Sequence, residues 1–154
     1  MIVPSHARAV IIGGGVVGCS IAYHLGKLGW RDVVLLERKQ LTCGTTWHAA
    51  GLIAQLRATQ NMTRLAKYSQ ELYFGLEAET GVATGFKRNG SITVALTDER
   101  MEELRRSAAM ARAFGVEIDE ISPSDIASRY PGLSVDDAVG GVWLPKDGQA
   151  DPVN

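Results

Sequence analysis

The sequence has no apolar run approaching the roughly 20 residues that cross a bilayer, so a membrane-spanning helix is not expected. Its two cysteines, Cys19 and Cys43, form neither a disulfide framework nor a zinc-ligand spacing; both read as reduced structural thiols, and no metal site is expected. Neither sign of charge dominates: 16 Lys and Arg face 17 Asp and Glu, a net charge of −1. Without a basic stripe, binding to nucleic acid or to an acidic membrane surface is not expected. The first apolar run begins within about eight residues of Met1, which leaves little room for a signal or transit peptide. The expected location is the cytoplasm, unless a presequence has been lost. Apolar residues still make up 45% and charged residues 21% of the 154, enough for a packed core and, by length, about one domain.

What is present starts with Arg8 to Glu37, RAVIIGGGVVGCSIAYHLGKLGWRDVVLLE. An apolar run (9–12) enters a glycine cluster, a helix-period segment follows over about 16–28, and a second apolar run (33–36) ends on an acid. That order is a βαβ unit. Gly13, Gly15 and Gly18 fit G-x-G-x-x-G, in which the first glycine permits the tight turn, the second lets backbone N–H groups approach a pyrophosphate, and the third lets helix and strand pack closely. Val16 and Val17 open the helix, whose free N–H groups and positive dipole end favour an anion. Glu37 stands where a carboxylate accepts hydrogen bonds from a ribose diol and repels a 2′-phosphate, so NADP is disfavoured.

Along the rest of the chain, ERKQLTCGTTWHAAGL (37–52) has neither helix nor strand period. Its hydroxyls, free N–H groups and imidazole suit a loop that wraps a ligand. Taken by itself, a single histidine in a loop such as His48 is more often a satisfied hydrogen-bonding group than a reactive one. Met62, Leu65, Ala66, Leu72, Tyr73 and Leu76 recur at helical spacing and predict an amphipathic helix over 62–80 whose apolar stripe is core, stopped by Gly81. Alternation over 91–96 predicts a half-buried strand. Thr97 or Asp98 begins a helix to about Phe114, with Met101, Leu104, Ala108 and Ala111 inward. A strand over 116–121, a capping box at Ser122 to Asp125 with Pro123 at the first helical position, a short helix to Tyr130 and a strand over 139–144 follow. Lys146-Asp147-Gly148 reads as a turn, and Asp151-Pro152 as the start of another helix. A composition shift near residue 55 places a domain boundary at about 52–60.

The order of GGGVVG, VVLLER, LTCGTTWHAAGL, EAETG, NGSITVA, SPSDIASRYPGL and DGQADP resembles the N-terminal part of the dimethylglycine and sarcosine dehydrogenases, which are D-amino-acid-oxidase-like FAD flavoproteins. The resemblance spans essentially the whole chain, and the GTTWHAAG loop favours FAD over NAD. It implies an α/β fold: a Rossmann-like FAD-binding βαβ unit (1–55), the first segment of an α+β substrate domain (56–146), and the start of a return to the FAD-binding domain (147–154). It assigns Gly13, Gly15, Val16, Val17 and Gly18 to the pyrophosphate turn and Glu37 with Arg38 to the ribose. Gly44, Thr45, Thr46, His48, Ala50, Gly51 and Leu52 then run along the pyrophosphate and flavin, with His48 a point of covalent attachment to the flavin ring. The implied whole-enzyme reaction oxidises an N-methyl amine such as sarcosine or dimethylglycine. No catalytic residue is assigned, and folate use is not implied.

Two parallel strands are too few for a doubly wound sheet. An edge beside residues 9–12 is left unpaired, so the fold is expected to be completed by a missing C-terminal part or by another chain, and the 154 residues alone to be less soluble or less stable than a longer form.

Overall fold

The computed structural model describes residues 4–152, and these form two compact units that divide the chain after Ala50. The first unit is a single βαβ motif: β1 (Ala9–Ile12), α1 (Val16–Lys27) and β2 (Val33–Leu36). β1 and β2 are parallel, with Ala9 opposite Val33 and Ile12 opposite Leu36, and Gly13 N–H extends the ladder to the Leu36 carbonyl at 2.8 Å. Ile11 and Gly18 are buried between strand and helix, whereas Ile12 is 87% exposed. Strands of a parallel sheet are normally covered on both faces. Among the described residues this sheet has two strands, and Val10, Ile12 and Leu36 remain exposed.

The second unit contains β3 (Leu52–Ile53), α2 (Gln60–Thr80), β4 (Ser91–Ala95), α3 (Asp98–Ala113), β5 (Asp119–Ile121), α4 (Pro123–Arg129), β6 (Gly140–Leu144) and β7 (Gly148–Gln149). β4, β6 and β5 form an antiparallel sheet in that order, and β3 pairs with β7. The core lies where α3 crosses the sheet: Met101, Leu104, Ala108 and Ala111 pack with Ala95, Val116, Ile118, Val142 and Leu144. Those four α3 residues are the predicted stripe, and burying each large member stabilises by about 1.5–3 kcal/mol. Thr97 caps α3 by accepting from Arg100 N–H, and the capping box at Ser122 and Asp125 forms as read. Hydrogen bonds from the Ser122 hydroxyl and backbone N–H hold the Asp125 carboxyl below its ordinary pKa.

Three expectations need correction. The α2 stripe is not core: Met62 and Leu65 are more than half exposed, and the buried α2 residues are Thr63 and Gln70. The buried side of α2 meets polar groups, where Thr63 bonds Arg57 and Gln70 bonds Gln55 and the Lys146 carbonyl. β4 is half-buried as its alternation predicts, with Ala95 fully buried against α3 and Leu96 exposed. The strand expected over 116–121 pairs only over 119–121; Val116 and Ile118 are buried against α3 without a ladder. The turn at 146–148 continues into β7, a pairing too short to leave a periodicity signal. The helix expected from Asp151-Pro152 falls mostly outside the described residues. No helix among the described residues is long and apolar enough to cross a membrane.

Candidate nucleotide site

In the first unit, β1 delivers the chain into Gly13-Gly14-Gly15 and α1 carries it away. Gly13 has φ +105°, a backbone state that L side chains rarely adopt, and a Cβ on Gly18 would lie 1.9 Å from the Gly13 carbonyl oxygen. Helix and strand therefore approach as closely as backbones allow. α1 begins without a side-chain cap at Gly15 and without an acid in its first turn. Val16 N–H donates to the Thr46 hydroxyl at 3.0 Å, and the first intrahelical bond is Cys19 N–H to the Gly15 carbonyl. The N–H groups of Val17 and Gly18 have no acceptor among the described residues. Two unpaired donors at the positive end of a helix dipole form an anion-binding arrangement.

Glu37 faces this turn from the end of β2. Its carboxylate accepts Gly14 N–H at 2.8 Å and Lys39 N–H at 2.9 Å, one bond to each oxygen. These bonds, the one from Gly14 foremost, lower its pKa from the ordinary 4.5. A carboxylate oxygen accepts more than one hydrogen bond, so both retain capacity for the hydroxyls of a diol. The Gly14 carbonyl takes Thr42 N–H at 2.8 Å. A Cβ on Gly14 would stand 2.5 Å from Leu41 Cδ2 and 3.0 Å from Glu37 Cβ. Gly14 was not singled out from the sequence, since the fingerprint leaves its second position open; the run of three glycines was the available signal.

These groups border one open cavity of about 910 Å³, within the upper range for small-molecule sites. Of the residues assigned from the sequence, it brings together Gly13, Gly15, Val16, Val17, Gly18, Glu37, Arg38, Gly44, Thr45 and Thr46, and it adds Thr42, Cys43 and Ala49. His48 and Ala50 do not line it, and Gly51 and Leu52 belong to the second unit. His48 ends a single 3-10 turn, Thr46–His48. Its ring lies 3.8 Å from that of Trp47, and Nδ1 is 3.1 Å from the Gly44 carbonyl. A carbonyl can only accept, so Nδ1 carries the hydrogen, and in the neutral ring Nε2 keeps its lone pair. The free donors, the glycine cradle and the acid at the second strand fit the diphosphate and ribose of a dinucleotide such as FAD.

Comparison with known proteins agrees with this geometry. The family model described as FAD dependent oxidoreductase matches residues 8–154. Mouse mitochondrial sarcosine dehydrogenase is 43% identical over 150 residues, covering 97% of this chain and 16% of that protein. Rat mitochondrial dimethylglycine dehydrogenase is 44% identical over 146 residues, covering 95% and 17%. The mouse mitochondrial pyruvate dehydrogenase phosphatase regulatory subunit is 42% identical over 144 residues, covering 94% and 16%. Among solved structures, L-proline dehydrogenase from P. horikoshii superposes with a TM-score of 0.90 at 31% identity, covering 97% of this chain and 39% of that one. The chain thus spans about a sixth of the length of these curated relatives.

Proposed function

Because the chain belongs to the FAD dependent oxidoreductase family, we propose that it is the N-terminal, FAD-binding portion of an amine oxidoreductase acting on an N-methyl amino acid such as sarcosine or dimethylglycine. Residues 1–55 then serve as the FAD-binding segment, 56–146 as the first part of a substrate domain, and 147–154 as the way back. The observation that carries the reading is the pair of unpaired N–H groups at Val17 and Gly18 facing a hydrogen-bonded, ionised Glu37 across one cavity.

In this reading the Val17 and Gly18 N–H groups bind the diphosphate and the Thr46 hydroxyl bounds it. Glu37 holds the adenosine ribose diol, with Arg38 beside it. Gly44 and Thr45 continue the wall of the same cavity. Bound FAD supplies the hydride acceptor for oxidation of a carbon next to the amine nitrogen. His48 offers a nucleophilic Nε2 for covalent attachment to the flavin, with Nδ1 held by Gly44 and the ring packed on Trp47. Ala50, Gly51 and Leu52 complete the loop on the flavin side. The N-methyl substrate meets the flavin through parts of a longer polypeptide or of another chain.

The test is acid denaturation of the purified protein. Yellow colour kept in the pellet supports attachment, which His48→Ala abolishes, and FAD released to the supernatant supports a dissociable cofactor. Flavin kept by the His48→Ala protein contradicts the assigned attachment point. A second reading, a non-catalytic subunit, draws on the likeness to the phosphatase regulatory subunit. A protein that holds no flavin after growth with riboflavin and takes up none on titration favours it.

A further inference from the structure

A second, polar cavity of about 240 Å³ lies entirely within the second unit. Its floor is Gln55 and Gln70, 3% and 0% exposed. Gln55 Nε2 donates to Gln70 Oε1 at 2.9 Å, and Gln70 Nε2 donates to the Lys146 carbonyl at 2.9 Å. That chain fixes both amides, so the one polar side-chain atom of Gln55 left with no partner is Oε1, an acceptor. It has no partner among the described residues, although none of their fully buried side-chain polar atoms goes unpartnered. Gln55 Oε1 is therefore reached by solvent, and since Gln55 is otherwise enclosed, it is reached through this cavity.

The rim carries both signs of charge. Lys146 pairs with Glu117 at 3.1 Å, and Lys67 Nζ donates to the Gly115 carbonyl at 2.5 Å, leaving it further donors. Arg88 stacks on Phe74, 3.7 Å from the ring centroid, and pairs with no carboxylate among the described residues. Glu71 likewise has no cationic partner among them. Three cations against two anions leave an excess of one positive charge above a buried acceptor. An anion alone leaves Gln55 Oε1 unpaired, and a cation alone meets the excess charge.

We propose that this cavity binds a small carboxylate bearing a hydroxyl or ammonium donor on the neighbouring carbon. The carboxylate takes the Arg88 guanidinium fork and Lys67, and the donor reaches Gln55 Oε1. With an ammonium, Glu71 supplies the countercharge. The site is separate from the nucleotide turn and does not depend on flavin.

The 154-residue chain, labelled with nitrogen-15, tests this by titration with glycolate, glycine and acetate while the Gln55 and Gln70 side-chain amide signals are followed. Glycolate or glycine is expected to shift both signals saturably at a concentration roughly tenfold below that for acetate, the worth of about one hydrogen bond. Arg88→Gln, an exposed substitution, is expected to raise the half-saturating concentration roughly tenfold. Glu71→Gln is expected to weaken glycine, whose ammonium loses its countercharge, and to spare glycolate. Equal response to acetate, no saturable response to any of the three, or an unchanged midpoint in Arg88→Gln overturns the proposal and leaves a cavity that holds water only.

Discussion

Gly18→Ala is the sharpest perturbation of the nucleotide site. Its Cβ would stand 1.9 Å from the Gly13 carbonyl oxygen, 3.1 Å from the Gly13 carbonyl carbon and 3.3 Å from Ile11 Cγ2. Gly13 is held by its N–H bond to Leu36, so the start of α1 must retreat by about 1.1 Å merely to bring the oxygen contact to 3.0 Å. Overpacking of this kind costs about 1–3 kcal/mol of stability. The same retreat carries the Val17 and Gly18 N–H groups out of hydrogen-bond range of a diphosphate seated at the turn. Losing two bonds to a charged acceptor, at about 1.5 kcal/mol each, weakens FAD binding more than 100-fold. Gly26→Ala is the control: the same helix, with nothing within 4 Å of the added Cβ, and an expected gain of about 0.5–1 kcal/mol from helix propensity. Flavin fluorescence titration and thermal unfolding read both variants. A Gly18→Ala protein that binds FAD as the parent does refutes the reasoning.

Other outcomes follow from single residues. Asp147 is 3% exposed and accepts Gln55 N–H at 2.9 Å and the Ser91 hydroxyl at 2.6 Å. Asp147→Ala strands one buried donor, the Gln55 N–H, and one part-buried donor, the Ser91 hydroxyl, and is expected to cost about 3 kcal/mol, read as a fall of on the order of 10 °C in the unfolding midpoint; a change under 1 kcal/mol contradicts it. Glu37 has a lowered folded pKa, so its contribution is fully present above its unfolded value and is lost as pH falls through the folded one. Glu37→Gln should flatten that part of the stability profile and weaken FAD binding at neutral pH, and a profile identical to the parent's argues against the turn-facing carboxylate. Gly90→Ala places a Cβ 1.8 Å from the Trp143 ring at a position with φ +72°, for an expected cost of about 2 kcal/mol or more. Calorimetry checks it, and a neutral effect contradicts the packing.

Local signals were legible where the physics is local. The 9–12 and 33–36 strands, the glycine turn between the first strand and α1, the Thr97 cap and the Ser122 box depend on neighbours within a few residues, and each formed where its residues indicated. The α3 stripe was legible because its partners are apolar. The α2 stripe misled because the helix buries Thr63 and Gln70 against partners as distant as Lys146, and a buried polar contact leaves no hydrophobic period. β7 was missed for a similar reason: two residues pairing with 52–53 carry no pattern. At the site, Glu37 was placed by its position after β2, while its bond to Gly14 and the grip of Thr42 on the same glycine arise from a loop with no regular structure. The His48 tautomer rests on a contact only four residues away, the Gly44 carbonyl, but the irregular turn that forms it leaves no periodic signal.

A crystal structure of the protein grown with FAD tests the central claim most directly. The account predicts diphosphate oxygens within about 3.2 Å of the Val17 and Gly18 nitrogens and ribose hydroxyls on the Glu37 carboxylate. A diphosphate bound elsewhere, with those two N–H groups still unpaired and Glu37 out of contact, contradicts it.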